Sequence, residues 1–168
     1  MNKSKAKPFT QYCFEDKRFD PNKTALIYPK NPMNPNNRQE INVSYGELFE
    51  RSERCAAFLK KMGFQKGDRA VVFVDICKEL YEIIFAINRL GGTLVYLDAW
   101  TDKYQFDIVC QTSEPKVFFA KGKAHILRLM IKACSKIPIK VVVQSKFSIL
   151  YWAYNYEKEI SSYLPDPG

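Results

Sequence analysis

Charged and hydroxyl side chains follow three apolar segments that have the composition of buried strands. They lie at Asp75, at residues 98–101 and at residues 120–123. Ligands of open parallel sheets bind beyond the carboxyl ends of the strands, so these positions are expected to face a ligand. Asp75 and Asp98 each precede a periodic helical segment, where a carboxylate commonly caps the helix. We therefore favour capping over catalysis for both, and assign no catalytic, cofactor-binding or metal-binding residue.

The tripeptide Lys121-Gly122-Lys123 is the nearest approach to a phosphate-binding loop. Its amides and lysines, at the start of a helix, could hold one phosphate. Dedicated phosphate loops contain more glycines, and neither GxGxxG nor GxxxxGKS/T occurs among the seven glycines of the chain. An ordinary loop is the favoured interpretation.

The single histidine, His125, has no sequence neighbour that indicates acid–base chemistry. A nucleophile for it would have to be brought close by the fold, which sequence does not show. We expect a surface or helix-flanking position. The five cysteines form no CxxC pair, so we expect reduced thiols and no zinc site.

Three cations recur at four-residue spacing on one predicted helix. They are Arg128, Lys132 and Lys136, and the opposite side carries Ile126, Leu127, Met130, Ile131 and Cys134. Because this helix lies between two predicted strands, we favour packing of its apolar side on the sheet, with the cations in water. Contact of the basic side with an anionic membrane or nucleic acid is the alternative.

Helical and strand patterns alternate around these residues. A capping box at Ser44 and Glu47 begins a helix that ends at Met62. Apolar runs predict parallel strands at 70–74, 93–97, 116–120 and 139–143, with intervening helices that open at Asp75, Thr101 and Lys123. The predicted fold class is α/β: a layered, mostly parallel sheet with flanking helices, preceded by a β-hairpin of residues 24–28 and 41–43.

The length of 168 residues suits one hydrophobic core. We divide the chain into a basic arm (1–13), an α/β subdomain (14–147) and an aromatic tail (148–168). The net charge of +8 is concentrated in residues 115–156, which hold eight basic and no acidic side chains. Such a surface attracts anions, although a solvated face is the favoured interpretation. No apolar run is long enough to cross a bilayer.

Two segments, VSYGEL at residues 43–48 and LGGTLVYLD at residues 90–98, flank a GFQKGDR turn at 63–69. In this order and spacing, together with ELYE at 79–82, they resemble the N-terminal part of the adenylate-forming (AMP-binding) acyl-CoA synthetases and ligases. The resemblance runs from about residue 14 to residue 143. SEPK at 113–116 and KAHIL at 123–127 are similar to the fatty-acyl ligase branch, including its olefin-pathway members.

The resemblance implies that the subdomain at 14–147 is an incomplete scaffold. In the family, the ATP-phosphate loop, the adenine and ribose contacts and a C-terminal domain with the catalytic lysine lie farther along, and none has a counterpart here. ATP, Mg²⁺ and CoA are implied for the full-length family, and no cofactor for this chain alone.

The leading hypothesis is an N-terminal fragment of an ATP-dependent acyl-CoA synthetase-like ligase, cytoplasmic and inactive alone. Its partner would be the remainder of the ligase, or a second copy through exposed apolar surface. An alternative is a standalone anion-binding or self-associating module, for which weak anionic membrane contact is favoured over nucleic acid. A flavodoxin-like nucleotide or flavin domain is a third, because it shares the layered topology.

Overall fold

The computed structural model describes residues 9–14, 19–29, 39–98, 100–145 and 152–165. Its elements are α1 (Phe9–Phe14), β1 (Thr24–Pro29), β2 (Glu40–Ser44), α2 (Tyr45–Lys61), β3 (Arg69–Phe73), α3 (Lys78–Arg89), β4 (Thr93–Tyr96), α4 (Lys103–Ser113), β5 (Val117–Lys121), α5 (Gly122–Met130), α6 (Lys132–Ser135), β6 (Ile139–Val143), β7 (Tyr154–Asn155) and α7 (Tyr156–Ser162). Most of the predicted basic arm, residues 30–38, residues 146–147 of the predicted subdomain, and residues 148–151 and 166–168 of the predicted tail lie outside the described residues. The domain boundaries stay predictions.

The hairpin and the helix that follows it form as their sequence predicts. Strands β1 and β2 pair antiparallel. The Ser44 hydroxyl accepts a hydrogen bond from the Glu47 backbone N–H at 3.1 Å, which satisfies an amide that the helix itself leaves unpaired. Helix α2 then ends at Lys61, and Gly63 takes the left-handed conformation (φ +83°) that terminates many helices.

The remaining five strands form one parallel sheet in the order β4-β3-β5-β6-β7. Parallel neighbours need long crossovers, and helices α3, α4, α5 and α6 supply them between β3 and β6. The chain adds β4 on one side of β3 and then returns to add β5 on the other. The strand order therefore reverses between β3 and β5, and the predicted α/β class is confirmed.

Alternate residues of the central strands enter two separate hydrophobic layers. Val72 and Phe119 lie in a core with α2, α3 and α7, whereas Val71 and Phe118 lie in a core with α4 and α6. Side chains along a strand point to opposite faces, so a strand covered on both sides must be apolar throughout. This explains the continuous runs of the sequence.

The last described segment joins the first of these layers. Strand β7 pairs with β6, and Tyr156 and Ile160 of α7 are fully buried. The Tyr156 hydroxyl donates to the buried Glu82 carboxylate of α3 at 2.9 Å. Part of the aromatic tail region is thus core, while Trp152 and Leu164 stay exposed. None of the helices in the described part of the chain has the length and apolarity of a membrane span.

We expect Gly92→Ala to lower the free energy of unfolding by about 1–3 kcal/mol, as overpacking substitutions do. An added Cβ would stand 2.5 Å from Cε1 of the buried Phe64 ring and 3.1 Å from the Asp68 carbonyl. Urea denaturation measures the loss. In a Phe64→Leu background the added loss should be smaller, since the ring causes the clash, and equal losses in both backgrounds would contradict this explanation.

Candidate functional site

The carboxyl ends of three neighbouring strands border a cavity of about 390 Å³. Its described lining residues are Phe73, Val74, Asp75, Tyr96, Leu97, Asp98, Lys121, Lys123 and Ala124. The cavity lies where the strand order reverses, the usual place for a ligand in a doubly wound sheet, and its volume is within the range of small-molecule sites. The structure therefore brings together residues from all three predicted positions.

Asp75 pairs with a lysine across the cavity and does not cap a helix. Its Oδ2 lies 2.6 Å from the Lys121 Nζ. Helix α3 begins at Lys78, with Cys77 at the N-cap position, so the predicted capping by Asp75 is wrong. Ile76 separates Asp75 from the cap, and the Asp75 carboxylate reaches Lys121 of β5 instead. Both side chains are partly exposed, so the pair adds little stability and mainly orients the two charges.

Asp98 stabilises a turn and does not begin α4. Its Oδ1 accepts hydrogen bonds from the Trp100 backbone N–H at 3.0 Å and from the Thr101 hydroxyl at 3.1 Å. Helix α4 opens at Lys103, and its N-cap is Asp102, whose carboxylate accepts from the Gln105 N–H at 2.8 Å. The prediction that Thr101 opens the helix is wrong because Asp102 offers a better-placed cap.

Tyr96 is a lining residue that the charge pattern does not indicate. It ends β4, and its hydroxyl donates to the Val74 carbonyl at 3.3 Å, linking two strand ends. Burial raises the pKa of this phenol, and the nearby Asp75 and Asp98 raise it further, so it is a neutral donor. Its place near the end of the predicted strand at 93–97, within the LGGTLVYLD segment, is the signal that could have identified it.

The Lys121-Gly122-Lys123 segment places two lysines and the start of α5 at the cavity. Helix α5 begins at Gly122, and no side chain caps it. Lys121 is engaged by Asp75, whereas Lys123 is exposed at the cavity wall. Among the described lining residues there is no serine, cysteine or histidine. The arrangement can therefore attract a polar or anionic group, but it does not supply a nucleophile with its base.

His125 is buried, which corrects the predicted surface position. The ring is 1% exposed, lies edge-on to Phe118, and has Nε2 3.1 Å from the Val141 carbonyl. Burial lowers the pKa of His125 to about 4, and the nearby Arg128 cation lowers it as well. The hydrogen bond to Val141 acts in the opposite direction and raises the pKa. The imidazole is therefore neutral at neutral pH and packs against Phe118 of β5.

The amphipathic orientation predicted for the basic helix is wrong in its first half. Arg128 is 4% exposed, while Ile126 and Met130 are 53% and 61% exposed. The helix predicted from Lys123 to Lys136 is broken at Ile131 (φ −118°, ψ 102°). The apolar residues of α5 and α6 therefore do not form one continuous helical face. In the second half the expectation is confirmed, because Ile131 and Cys134 are buried and Lys132 and Lys136 are exposed.

No group of three or more histidine, cysteine, aspartate or glutamate side chains that could hold a metal ion occurs in the ranges that the structure describes. All five cysteines are free thiols.

A family model and individual relatives both match this chain. The family model described as "AMP-binding enzyme" matches residues 14–164. The 2,3-dihydroxybenzoate-AMP ligase of Bacillus subtilis (strain 168) is 47% identical over 84 residues, 50% of this chain and 14% of the relative. An olefin beta-lactone synthetase of Stenotrophomonas maltophilia (strain K279a) is 29% identical over 93 residues, 55% of this chain and 17% of the relative.

A solved structure shares the fold over nearly the whole chain. The crystal structure of ATP-bound MatB from Rhodopseudomonas palustris superposes with a TM-score of 0.71 at 18% identity, covering 95% of this chain and 28% of that one. The chain thus spans under a third of that structure and less than a fifth of these two curated relatives. Because the family match covers most of its residues, the chain belongs to the AMP-binding enzyme family.

Proposed function

We propose that this chain supplies the N-terminal part of the scaffold of an ATP-dependent ligase, which activates a carboxylate as an acyl-adenylate and then transfers the acyl group to a thiol. The observation that carries the proposal is the family match over residues 14–164 in a chain that spans only 14–17% of two relatives. We further propose that the chain alone does not catalyse adenylation.

The residues at the cavity support this second part. Adenylation requires preorganised donors, cations and a metal ion where negative charge develops on the α-phosphate. Of the two lysines there, Lys121 is already paired with Asp75, and the described residues hold no metal-binding cluster. The 168-residue sequence contains no glycine-rich phosphate loop. These residues do not fit ATP and Mg²⁺ by themselves, so we derive no catalytic step from them.

The remainder of the ligase is the partner that we propose for exposed apolar residues of the β4–α4 connection, α4 and α5. Trp100 in the β4–α4 connection is 91% exposed and Tyr104 at the start of α4 is 75% exposed. Ile126, in the second turn of α5, is 53% exposed. Exposed apolar side chains that form a patch commonly mark a contact with another surface.

For the substrate we propose a fatty acid, following the SEPK and KAHIL segments at 113–116 and 123–127. The similarity to an olefin beta-lactone synthetase supports this branch, whereas the name of the Bacillus subtilis relative indicates an aromatic acid for that protein. We place the protein in the cytoplasm, where its five free thiols would stay reduced.

In ATP–pyrophosphate exchange with Mg²⁺ and a panel of fatty and aryl acids, we expect no exchange above background from the 168-residue chain. The panel includes 2,3-dihydroxybenzoate, and a full-length ligase of the family serves as the positive control. Acid-dependent exchange by the chain alone would overturn the proposed inactivity. If that exchange were selective for aryl acids, it would also overturn the fatty-acid assignment.

A further inference from the structure

Two cysteines from different helices meet in the second hydrophobic layer. Cys110 of α4 is 4% exposed and Cys134 of α6 is fully buried, and both belong to the same core cluster. Helices α4 and α6 pack against each other in this cluster, and each of the two thiols shifts the pKa of the other. The backbone N–H of Ala133 also donates to Asp107 Oδ1 at 3.3 Å, which ties the first turn of α6 to α4 one helical turn before Cys110.

The two thiols differ in access and in acidity. A cavity of about 430 Å³ between α4 and α6 reaches Cys110, with Gln111, Pro115 and Ala133 among its walls. The neighbouring Cys134 thiol lowers the pKa of Cys110. The Cys110 thiol, together with burial, raises the pKa of Cys134. A reachable thiol of lowered pKa beside a second thiol is the arrangement of an oxidation-sensitive pair.

The remaining cysteines lack these features. Burial raises the pKa of both Cys55 and Cys77 to about 12, so their thiolate forms are scarce at neutral pH. Cys13 is only partly buried, and burial raises its pKa as well. Because the thiolate is the species that reacts with oxidants, these three are expected to react slowly.

We propose that Cys110 and Cys134 form an oxidative modification site, at which a hydroperoxide converts the two thiols into a disulfide that joins α4 to α6. The Cys110 sulfur attacks one oxygen of hydrogen peroxide, the O–O bond breaks, and one water leaves after protonation. The Cys134 sulfur then attacks the resulting sulfenic acid, the S–O bond breaks, and a second water leaves as the S–S bond forms. Two thiols are oxidised and one peroxide is reduced to two waters.

The test treats the native 168-residue chain with limiting hydrogen peroxide, blocks free thiols after unfolding, and maps tryptic peptides without reduction. We expect peptides 104–116 and 133–136 to appear linked, and the count of blockable thiols to fall from five to three. Five remaining thiols, or a different linked pair, would overturn the proposal. A sample oxidised in urea is the reference for the role of the fold: equal yield of this link in the unfolded chain would also overturn it.

Two variants separate the roles of the thiols. Cys134→Ser should abolish the link and leave Cys110 as a sulfenic acid that dimedone traps. Cys77→Ser is the matched control, since it removes another buried thiol but should keep the link. Loss of the link in Cys77→Ser would contradict the assignment. If Cys134→Ser does not fold, the peptide maps of the unmodified sequence in native buffer and in urea are sufficient to test the proposed disulfide.

Discussion

Replacing Arg51 with alanine should lower the free energy of unfolding by about 3–5 kcal/mol, the usual cost of breaking a buried ion pair from one side. The Glu82 side chain is fully buried on α3, and its Oε1 accepts from the Arg51 Nε at 2.5 Å. Arg51 also lies 2.7 Å from Glu157 of α7. Without the guanidinium, the Glu82 carboxylate would remain in the core with the Tyr156 hydroxyl as its hydrogen-bond donor.

The loss of stability caused by Arg51→Ala should depend on pH. The pKa of Glu82 determines whether that loss grows or shrinks as the pH falls. Burial raises the pKa of Glu82, and Arg51 is the main group that opposes this rise. Removing Arg51 therefore raises the pKa of Glu82 further, so the folded variant takes up a proton more readily than the unfolded chain as the pH falls. Protonation neutralises the stranded charge, and the deficit should be smaller near about pH 5 than near about pH 7.5.

Urea denaturation of Arg51→Ala and of the unmodified chain at both pH values measures these effects. Glu50→Gln is the matched control, since it breaks the exposed Glu50–Arg54 pair one position away on α2. Such exposed pairs contribute about 0.2–1 kcal/mol. If Arg51→Ala costs no more than Glu50→Gln, or if its deficit grows toward acid pH, the buried-charge explanation fails.

The sheet and the first helices could be predicted because local signals and tertiary packing agree there. The Ser44 cap, the Gly63 terminus and the apolar run of β6 each define an element with few alternatives. The order of the strands in the sheet could not be predicted in this way, because a β-α-β pattern does not indicate on which side of β3 the next strand is added. The order found is also that of flavodoxin-like domains, so the family match, and not the topology, distinguishes these two hypotheses.

The predictions are wrong where a helix begins later than expected or is interrupted. Asp75 and Asp98 were expected to cap helices, but α3 and α4 begin later, and the freed carboxylates serve an ion pair and a turn. The break at Ile131 similarly turns Arg128 inward and Ile126 outward. Hydrophobic periodicity assumes an unbroken helix, so it cannot report a one-residue interruption.

The candidate site could be located from the sequence but its contacts could not. The rule that ligands bind beyond strand ends correctly grouped Asp75, Asp98 and Lys121, since the carboxyl ends of neighbouring parallel strands meet at one edge. Which charges pair across that edge depends on strand order. The contact between Cys110 and Cys134 likewise depends on how α4 and α6 pack, and no spacing in the sequence indicates it.

Tyr156→Ala should lower the free energy of unfolding by about 3–5 kcal/mol, as truncation of a large buried aromatic side chain does. Tyr156 is fully buried in the layer formed with α2 and α3, and its ring lies edge-on to Phe119 of β5, with centroids 6.4 Å apart. Its hydroxyl is the second partner of Glu82, at 2.9 Å. Burial raises the pKa of this phenol, so it stays a protonated donor.

The series Tyr156→Phe, Tyr156→Ala and Trp152→Ala separates the hydrogen bond from the packing. Phenylalanine keeps the ring and should lose about 1–3 kcal/mol, the penalty for an unsatisfied buried acceptor. Trp152 is 80% exposed in the same segment, and its removal should change stability by no more than about 0.5 kcal/mol. Urea denaturation gives all three values. If Tyr156→Ala costs as little as Trp152→Ala, then β7 and α7 do not unfold with the sheet, and the segment is not part of its cooperative core.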